Sequence, residues 1–292
     1  MWIADGWTDF EVLDCSAGEK LERWGSLRLV RPEPQAIWQT PCLHLAWQTP
    51  DGRYVRSKSG GGAWDNGSAK GRGKLPERWQ IRYDDLVFQV GPMNFKHMGL
   101  FPEQAANWAF IREQITTAAR PLSVLNLFAY TGGATIAAAK AGATVCHVDA
   151  ARGMVAWAKE NARLSGLANA PIRWIVDDCA KFVAREIRRG RRYDAIIMDP
   201  PSYGRGPTGE VWKLEDDLYP FVELVSGVLS HDPAFVVINS YTTGLSPSVL
   251  TYISDSIFGK RFDGTSESAE LGLPVTESSL ILPCGATCRW QR

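Results

Sequence analysis

Residues 121–150 read PLSVLNLFAYTGGATIAAAKAGATVCHVDA, and the order of features in this stretch decides the fold. Val124, Leu125, Leu127 and Phe128 form a short apolar run after a proline, the pattern of a parallel strand buried on both faces. Thr131, Gly132 and Gly133 punctuate it. From Ala134 the residues are small helix formers, and Ala141 with Gly142 predicts the stop. Residues 143–148 rise again as a strand, with Asp149 at its carboxyl end and Ala150 beyond. Open α/β sheets bind ligands at the carboxyl ends of their strands, and an acid after the second strand is placed to hold ribose hydroxyls. A nucleoside cofactor is the expectation.

The glycine pattern narrows which nucleoside. A dinucleotide needs GxGxxG so that backbone closes on a pyrophosphate at a helix N-terminus. Here residues 126–133 read NLFAYTGG, with Phe128 and Tyr130 where the first glycines would stand. A ligand without a pyrophosphate, such as S-adenosylmethionine, suits that turn better. An NAD-dependent oxidoreductase stays open as the rival, supported by Asp149 alone.

The chain of 292 residues is long enough for one large domain and one small one. Its 45% hydrophobic and 22% charged content exclude a disordered or membrane-dominated class. No apolar run approaches the roughly 18 residues that a membrane helix needs. The first residues, MWIADGWTDFEVLDC, have neither the basic start nor the apolar core of a secretory signal. Six scattered cysteines without a CxxC pair predict reduced thiols in a cytoplasm. Cys284 and Cys288 lack a second ligand pair, so no metal is expected. With 32 basic and 32 acidic residues, any nucleic-acid partner must be met by local charge.

Taken in order, residues 1–90 read as a small β-rich domain with apolar segments at 27–30, 37–38, 43–47 and 86–90. Within it, residues 57–76 are glycine-rich and carry Lys58, Lys70, Arg72 and Lys74, a surface loop or a flexible basic finger for phosphates. Residues 91–120 predict a linker helix entered through Phe101 and Pro102, a candidate lid on the cofactor. Residues 121–292 then form the cofactor domain. After the opening stretch come a helix at 151–165, a third strand at 172–176, an arginine-rich helix at 181–192, a fourth strand at 193–198 and a fifth at 234–238. The tail, with SSLILP at 278–283 and the segment from Cys288 to Trp290, predicts an antiparallel pair closing the sheet. The alternation predicts an α/β fold: a Rossmann-like, doubly wound, mostly parallel seven-stranded sheet with a small β-rich N-terminal domain.

Acids mark the ends of the later strands. Asp178 follows the third and is placed to accept from an adenine amino group, which only donates. The fourth runs directly into Asp199, Pro200, Pro201, Ser202 and Tyr203. Both prolines fix φ and neither offers an N–H, so this turn predicts a rigid shelf of free carbonyl acceptors beside a carboxylate. Such a shelf holds an amino group and aims its nitrogen at an electrophilic methyl, a displacement that needs orientation more than acid or base strength. Tyr203 is a candidate to stack on a base drawn out of its helix. After the fifth strand, Asn239 is a candidate to meet the base edge.

The ordered set of residues 128–133 (FAYTGG), Asp149, residues 177–179 (DDC) and residues 199–202 (DPPS) resembles class I S-adenosylmethionine methyltransferases. It is most similar to the bacterial family containing the large-subunit ribosomal RNA cytosine-C5 and guanine-N7 methyltransferases, over residues 96–241. That resemblance implies S-adenosylmethionine as cofactor. Asp149 and Ala150 would lie at the ribose, Asp178 and Cys179 at the adenine, and Phe128, Tyr130, Thr131, Gly132 and Gly133 towards the amino-acid end. Phe101, Gln104 and Asn107 resemble the family's cofactor-contacting stretch before the first strand, and Asp199 would line the transfer pocket. The resemblance also implies RNA as substrate. Two departures shape the expectation. Cytosine-C5 chemistry needs a cysteine that adds to C6 of the base, and the family's cytosine enzymes carry it just after the fifth strand, where this chain has Asn239, Ser240, Tyr241 and Thr242. The RNA-binding PUA module common in the family is replaced by a different β-rich segment. The expectation is a cytoplasmic methyltransferase acting on a base nitrogen of RNA, against a non-catalytic RNA-binding protein that keeps the fold.

Overall fold

The structure, a computed structural model, describes residues 1–57, 61–65, 74–205 and 211–292. Of the basic finger expected at 57–76, residues 58–60 and 66–73, with Lys58, Lys70 and Arg72, lie outside the described residues. The chain forms two compact units: Ile3–Ala105 with Gly272–Cys284, and Met1–Trp2 with Ala106–Leu271 and Gly285–Arg292. The boundary therefore falls at 105 rather than 90. Residues 91–104 belong to the first unit because its groups hold them: Gly91 N–H donates to Met98 O at 3.0 Å, Arg31 Nη1 to Lys96 O at 2.8 Å and Trp7 Nε1 to Pro102 O at 2.9 Å. Residues 272–284 rejoin it from the far end of the chain, where Thr276 N–H donates to Val12 O at 3.0 Å.

Strand β1 (Trp2–Ile3) precedes the N-terminal unit, which contains β2 (Phe10–Ser16), β3 (Glu19–Trp24), β4 (Leu27–Pro32), β5 (Gly52–Arg56), β6 (Gly62–Asp65), β7 (Trp79–Tyr83) and β8 (Leu86–Val90). Strands β2 to β6 form one five-stranded sheet in sequence order, and β7 pairs with β8. Ala17 and Gly18, both at positive φ, make the two-residue turn that matches the twist of a hairpin between β2 and β3. Of the apolar segments singled out in the sequence, 27–30 and 86–90 lie within strands, whereas 37–38 is irregular and 43–47 ends in a short 3-10 turn, Leu45–Trp47. One face of β3 and β4 packs Leu21 and Val30 against Leu13, Ala46 and Trp47. The other face buries charge. Glu22 is fully buried and accepts from Arg31 Nε at 2.6 Å and Arg31 Nη2 at 2.8 Å, while Lys20 bridges Glu22 at 3.3 Å and Glu33 at 3.0 Å. Burial pushes the Glu22 carboxyl up, but Arg31 and Lys20 outweigh it and hold it at about 2.

The second unit contains α1 (Ala105–Thr117), β9 (Ser123–Leu127), α2 (Gly133–Lys140), β10 (Thr144–Asp149), α3 (Arg152–Leu164), β11 (Ile172–Val176), α4 (Cys179–Arg188), β12 (Ala195–Met198), β13 (Tyr203–Arg205), β14 (Val211–Lys213), α5 (Leu214–Ser226), β15 (Phe235–Ser240), α6 (Pro247–Ser254), β16 (Thr265–Pro274) and β17 (Ile281–Gln291). Its main sheet runs β1-β16-β17-β15-β12-β9-β10-β11, with β15, β12, β9, β10 and β11 parallel and β17 antiparallel to β15. The mostly parallel, doubly wound sheet is present, with one strand more than expected: β1 adds two residues at the edge. The closing antiparallel strand β17 pairs with β16, so residues 278–283 are the turn and start of β17 rather than its partner. Alternation along the buried strands feeds two cores. Leu125, Leu127, Ile196, Met198, Val236 and Ile238 face α4, α5 and α6, whereas Val124, Ala195, Ile197, Phe235 and Val237 face α1 and α2. The arginine-rich helix stops at Arg188 rather than Arg192 because Gly190 turns left-handed at φ 65° and its N–H closes on Ile187 O at 3.0 Å.

Removing one partner of a buried ion pair leaves the other charge uncompensated, at a cost of about 3–5 kcal/mol. Glu22→Ala is therefore expected to lower unfolding stability by about that amount, measured by urea titration of tryptophan fluorescence. Because the carboxyl sits below its ordinary value, the wild-type contribution is complete above pH 4.5 and is lost as pH falls towards about 2.

Candidate functional site

Strand β9 leads to β10 on one side and has β12 on the other, so the crevice between β9 and β12 is the switch point of the parallel sheet. The register puts Met198, Leu127 and Val148 side by side. The residues just beyond them are Asp199, Phe128 and Asp149, spread over three adjacent strand ends about 10 Å from first to last.

The turn after β9 is held in glycine-like conformations by residues that are not glycine. Phe128 has φ 54° and Tyr130 φ 50°, and Gly132 follows at φ 87°. Left-handed backbone costs an ordinary residue about 1–2 kcal/mol, so the surroundings must impose it. Phe128 N–H donates to Cys179 Sγ at 3.3 Å, Ala129 N–H to Val148 O at 3.0 Å and Tyr130 N–H to Asp149 Oδ2 at 2.8 Å. Asn161 on α3 donates to Thr131 O at 2.9 Å. Space enforces the two glycines: a Cβ on Gly132 would stand 2.9 Å from Ala158 Cβ, and one on Gly133 would stand 2.6 Å from Trp108 Cζ2. Beneath the turn, Asn126 Nδ2 donates to Thr135 Oγ1, which meets His147 Nδ1, both at 2.9 Å, joining β9, α2 and β10. His147 is fully buried against Trp174, with no partner for Nε2 among the described residues, and burial drives its pKa to about 3.

Asp149 also accepts from Ala151 N–H, at 2.8 Å on Oδ1. Burial raises its carboxyl, and the N–H groups of Ala151 and Tyr130 offset part of that rise. Asp178 caps α4, accepting from Lys181 N–H at 2.8 Å, and is exposed. Cys179 is buried at the start of α4, and burial pushes its thiol up to about 12.

On the other side of Phe128, the turn after β12 is tied down at three points. Trp212 Nε1 donates to Pro201 O at 2.6 Å, Leu214 N–H to Ser202 O at 3.1 Å and Thr242 Oγ1 to Ser202 Oγ at 2.8 Å. The last contact brings the ends of β12 and β15 together, as their shared role requires. The expectation that all carbonyls of this turn stand free is corrected: Trp212 takes that of Pro201 and Leu214 that of Ser202. Beside these carbonyls the shelf carries the half-buried Asp199 carboxylate and the buried Pro200. Tyr203 is 52% exposed. In the β13–β14 pair it stands opposite Lys213, whereas Trp212 stands opposite Gly204, so Tyr203 and Trp212 project from opposite faces of the hairpin.

Asn239 is only 2% exposed, and its Oδ1 accepts from Asn107 Nδ2 at 2.9 Å. Asn107 Oδ1 in turn accepts from Arg289 Nε at 3.0 Å, and Arg289 lies 3.8 Å over the Trp2 ring. These bonds tie α1 to β15 and β17. Phe101 and Gln104 fall on the N-terminal unit. Reading the sequence missed Trp212 and Arg289. Neither has a local signal, since each acts on a residue distant in the chain.

Residues 19–224 match the family model described as S-adenosylmethionine-dependent methyltransferase. The chain belongs to this family. A crystal structure of a SAM-dependent methyltransferase from Agrobacterium tumefaciens is similar over 99% of this chain and 93% of that one, with 37% identity and a TM-score of 0.90. The fold is shared with a putative methyltransferase complexed with SAH, at 21% identity and a TM-score of 0.70 over 97% of this chain and 76% of that chain. The ribosomal RNA large subunit methyltransferase K/L of Syntrophotalea carbinolica is 30% identical over 167 residues, which are 56% of this chain. The match covers 22% of that relative's length. The rival reading as an NAD enzyme ends here, because Asp149 was its sole support.

The methyltransferase site fits its cofactor. A carboxylate stands at the end of β10, a capped helix begins beside it, and a turn without room for a Cβ at Gly132 or Gly133 lies between. The methyltransferase is expected to lose stability in acid in a way that traces to His147. The unfolded chain binds a proton near 6.5 and the folded chain near 3, so stability is complete above 6.5 and falls as pH drops through that window. His147→Gln should flatten the slope of stability between pH 6 and 4 by about 1 kcal/mol per unit, read from urea titrations.

Proposed function

We propose that this methyltransferase acts on RNA, at a base nitrogen held by the shelf after β12. The observation that carries the reading is the position of Asp199 and Pro200 one strand away from the turn at Phe128, with Asp199 N–H 3.4 Å from Leu127 O. An exocyclic amino group has two hydrogens, and the Asp199 carboxylate and the Pro200 carbonyl are two acceptors that would orient its lone pair. The cofactor, when bound, supplies an electrophilic sulfonium methyl group. Asp149 would hold its ribose, Asp178 and Cys179 would flank its adenine, and Tyr130 to Gly133 would receive its amino-acid end. Tyr203, on the exposed face of its hairpin, is available to stack on a base.

Attack through carbon 5 of cytosine is disfavoured. It needs a cysteine that adds to the base, and the chain has Asn239, Ser240, Tyr241 and Thr242 at the end of β15, where the family's cytosine enzymes carry it. Support for RNA comes from the relatives named as ribosomal RNA methyltransferases. The six free cysteines and such a substrate together favour the cytoplasm. No helix among the described residues is long and apolar enough to cross a membrane.

RNA from cells lacking the protein, incubated with the enzyme and labelled S-adenosylmethionine, is expected to take up label at a nitrogen, located by nucleoside mass spectrometry. Label in protein, or none, overturns the RNA reading. Asp199→Ala should keep affinity for S-adenosylhomocysteine within about threefold and lower methyl transfer at least a hundredfold, since one oriented acceptor is worth that order in rate. An unchanged turnover would remove Asp199 from the transfer pocket.

A further inference from the structure

Three observations meet at Trp212. Its indole Nε1 donates to Pro201 O at 2.6 Å. Its ring lies 5.6 Å from the ring of Phe128 and stands edge-on to Phe221 at 5.5 Å and 89°. It is paired across the β13–β14 hairpin with Gly204. One side chain therefore touches both the turn that would present the methyl acceptor and the turn that would receive the cofactor.

We propose that Trp212 is a positioning residue for methyl transfer, which aims the acceptor shelf by pinning the Pro201 carbonyl and couples it to the cofactor turn through Phe128. The inference rests on the proposed role of the shelf. Its physical basis lies in the proline pair. The rings of Pro200 and Pro201 fix both φ angles, so the remaining freedom of the shelf is in ψ. A hydrogen bond to the Pro201 carbonyl fixes the plane of the following peptide, and Thr242 and Leu214 hold Ser202 beyond it. With ψ of Pro201 set and Asp199 N–H held 3.4 Å from Leu127 O, the segment that carries Asp199 and the Pro200 carbonyl is tied at both ends.

The second contact explains why an aromatic donor does this work rather than a serine or asparagine. Phe128 is held at φ 54°, and its ring packs with Trp212 and Phe221 in a three-ring cluster in which each ring touches the other two. A small donor would orient the carbonyl but leave Phe128 without one wall. With tryptophan, a displacement of the shelf also moves the ring that braces the cofactor turn. Alignment of nitrogen, methyl and sulfur thus depends on one rigid body, and misplacement by about 1 Å costs on the order of a hundredfold in rate.

Two substitutions separate the roles. Trp212→Phe keeps an aromatic ring against Phe128 and Phe221 but removes the donor. It is expected to lower kcat ten- to a hundredfold, with KM for RNA and affinity for S-adenosylhomocysteine within about twofold of wild type. Trp212→Leu removes the ring as well and should also weaken S-adenosylhomocysteine at least fivefold, measured by calorimetry. A Trp212→Phe enzyme with wild-type kcat overturns the proposal. So does a variant whose losses disappear when rates are corrected for its folded fraction, taken from thermal unfolding. A crystal structure of Trp212→Phe supplies a readout that does not involve RNA: a rotated Pro201 carbonyl supports the proposal, and an unmoved shelf refutes it. Wild-type enzyme that labels no RNA would instead count against the proposed substrate, leaving the structural readout to decide on Trp212.

Discussion

Asp149 accepts Tyr130 N–H on one oxygen and Ala151 N–H on the other, each at 2.8 Å, and through them holds two strand-end turns in register. Tyr130 sits in a left-handed conformation that an isolated chain would avoid, and this carboxylate is what compensates it. The site is thus built before any ligand arrives. Burial that raises the Asp149 carboxyl is the cost of placing a charge there, and the two backbone donors offset it. An acid with both oxygens already oriented presents its remaining lone pairs in fixed directions, which is what binding a ribose diol requires.

Around that carboxylate the site has two sides joined at Phe128. On one side Cys179 receives the Phe128 N–H, and on the other its ring packs against those of Trp212 and Phe221. Three adjacent parallel strands deliver Asp149, Phe128 and Asp199 to one edge because their register is shared. Beneath, Asn126, Thr135 and His147 connect strand to helix to strand with hydrogen bonds in place of apolar packing. Such a chain fixes direction as well as distance. The N-terminal unit solves a different problem, spending one face of its sheet on Lys20, Glu22 and Arg31. In that unit Leu21 and Val30 supply the apolar packing, and the ion cluster restricts how β3 and β4 can be arranged.

The strands and acids of the cofactor half were legible because each depends on local chemistry. Runs such as residues 195–198 can only be buried, glycines after a run can only turn, and an acid directly after a buried strand can only sit at its end. The helix boundary at Arg188 was less legible, since one glycine two residues later overrode a continuous helical composition. Asn107 and Asn239 show the limit more sharply. Both are polar residues near expected ligand positions, yet they bond each other across 132 positions of chain. No local pattern announces that pairing.

The sequence by itself determined the alternation of strands and helices, the turn at Gly132 and Gly133, the acids at the strand ends and the proline shelf, because these follow from backbone preferences and burial within a few residues. Only the tertiary structure decided which carbonyls of the shelf are taken, because the residues that take them, Trp212 and Leu214, arrive from beyond a hairpin. It also decided that Phe128 and Tyr130 adopt the conformations expected of glycine. Their own side chains oppose that geometry, and only contacts made by distant residues, Cys179, Asp149 and Trp212, supply the energy to impose it.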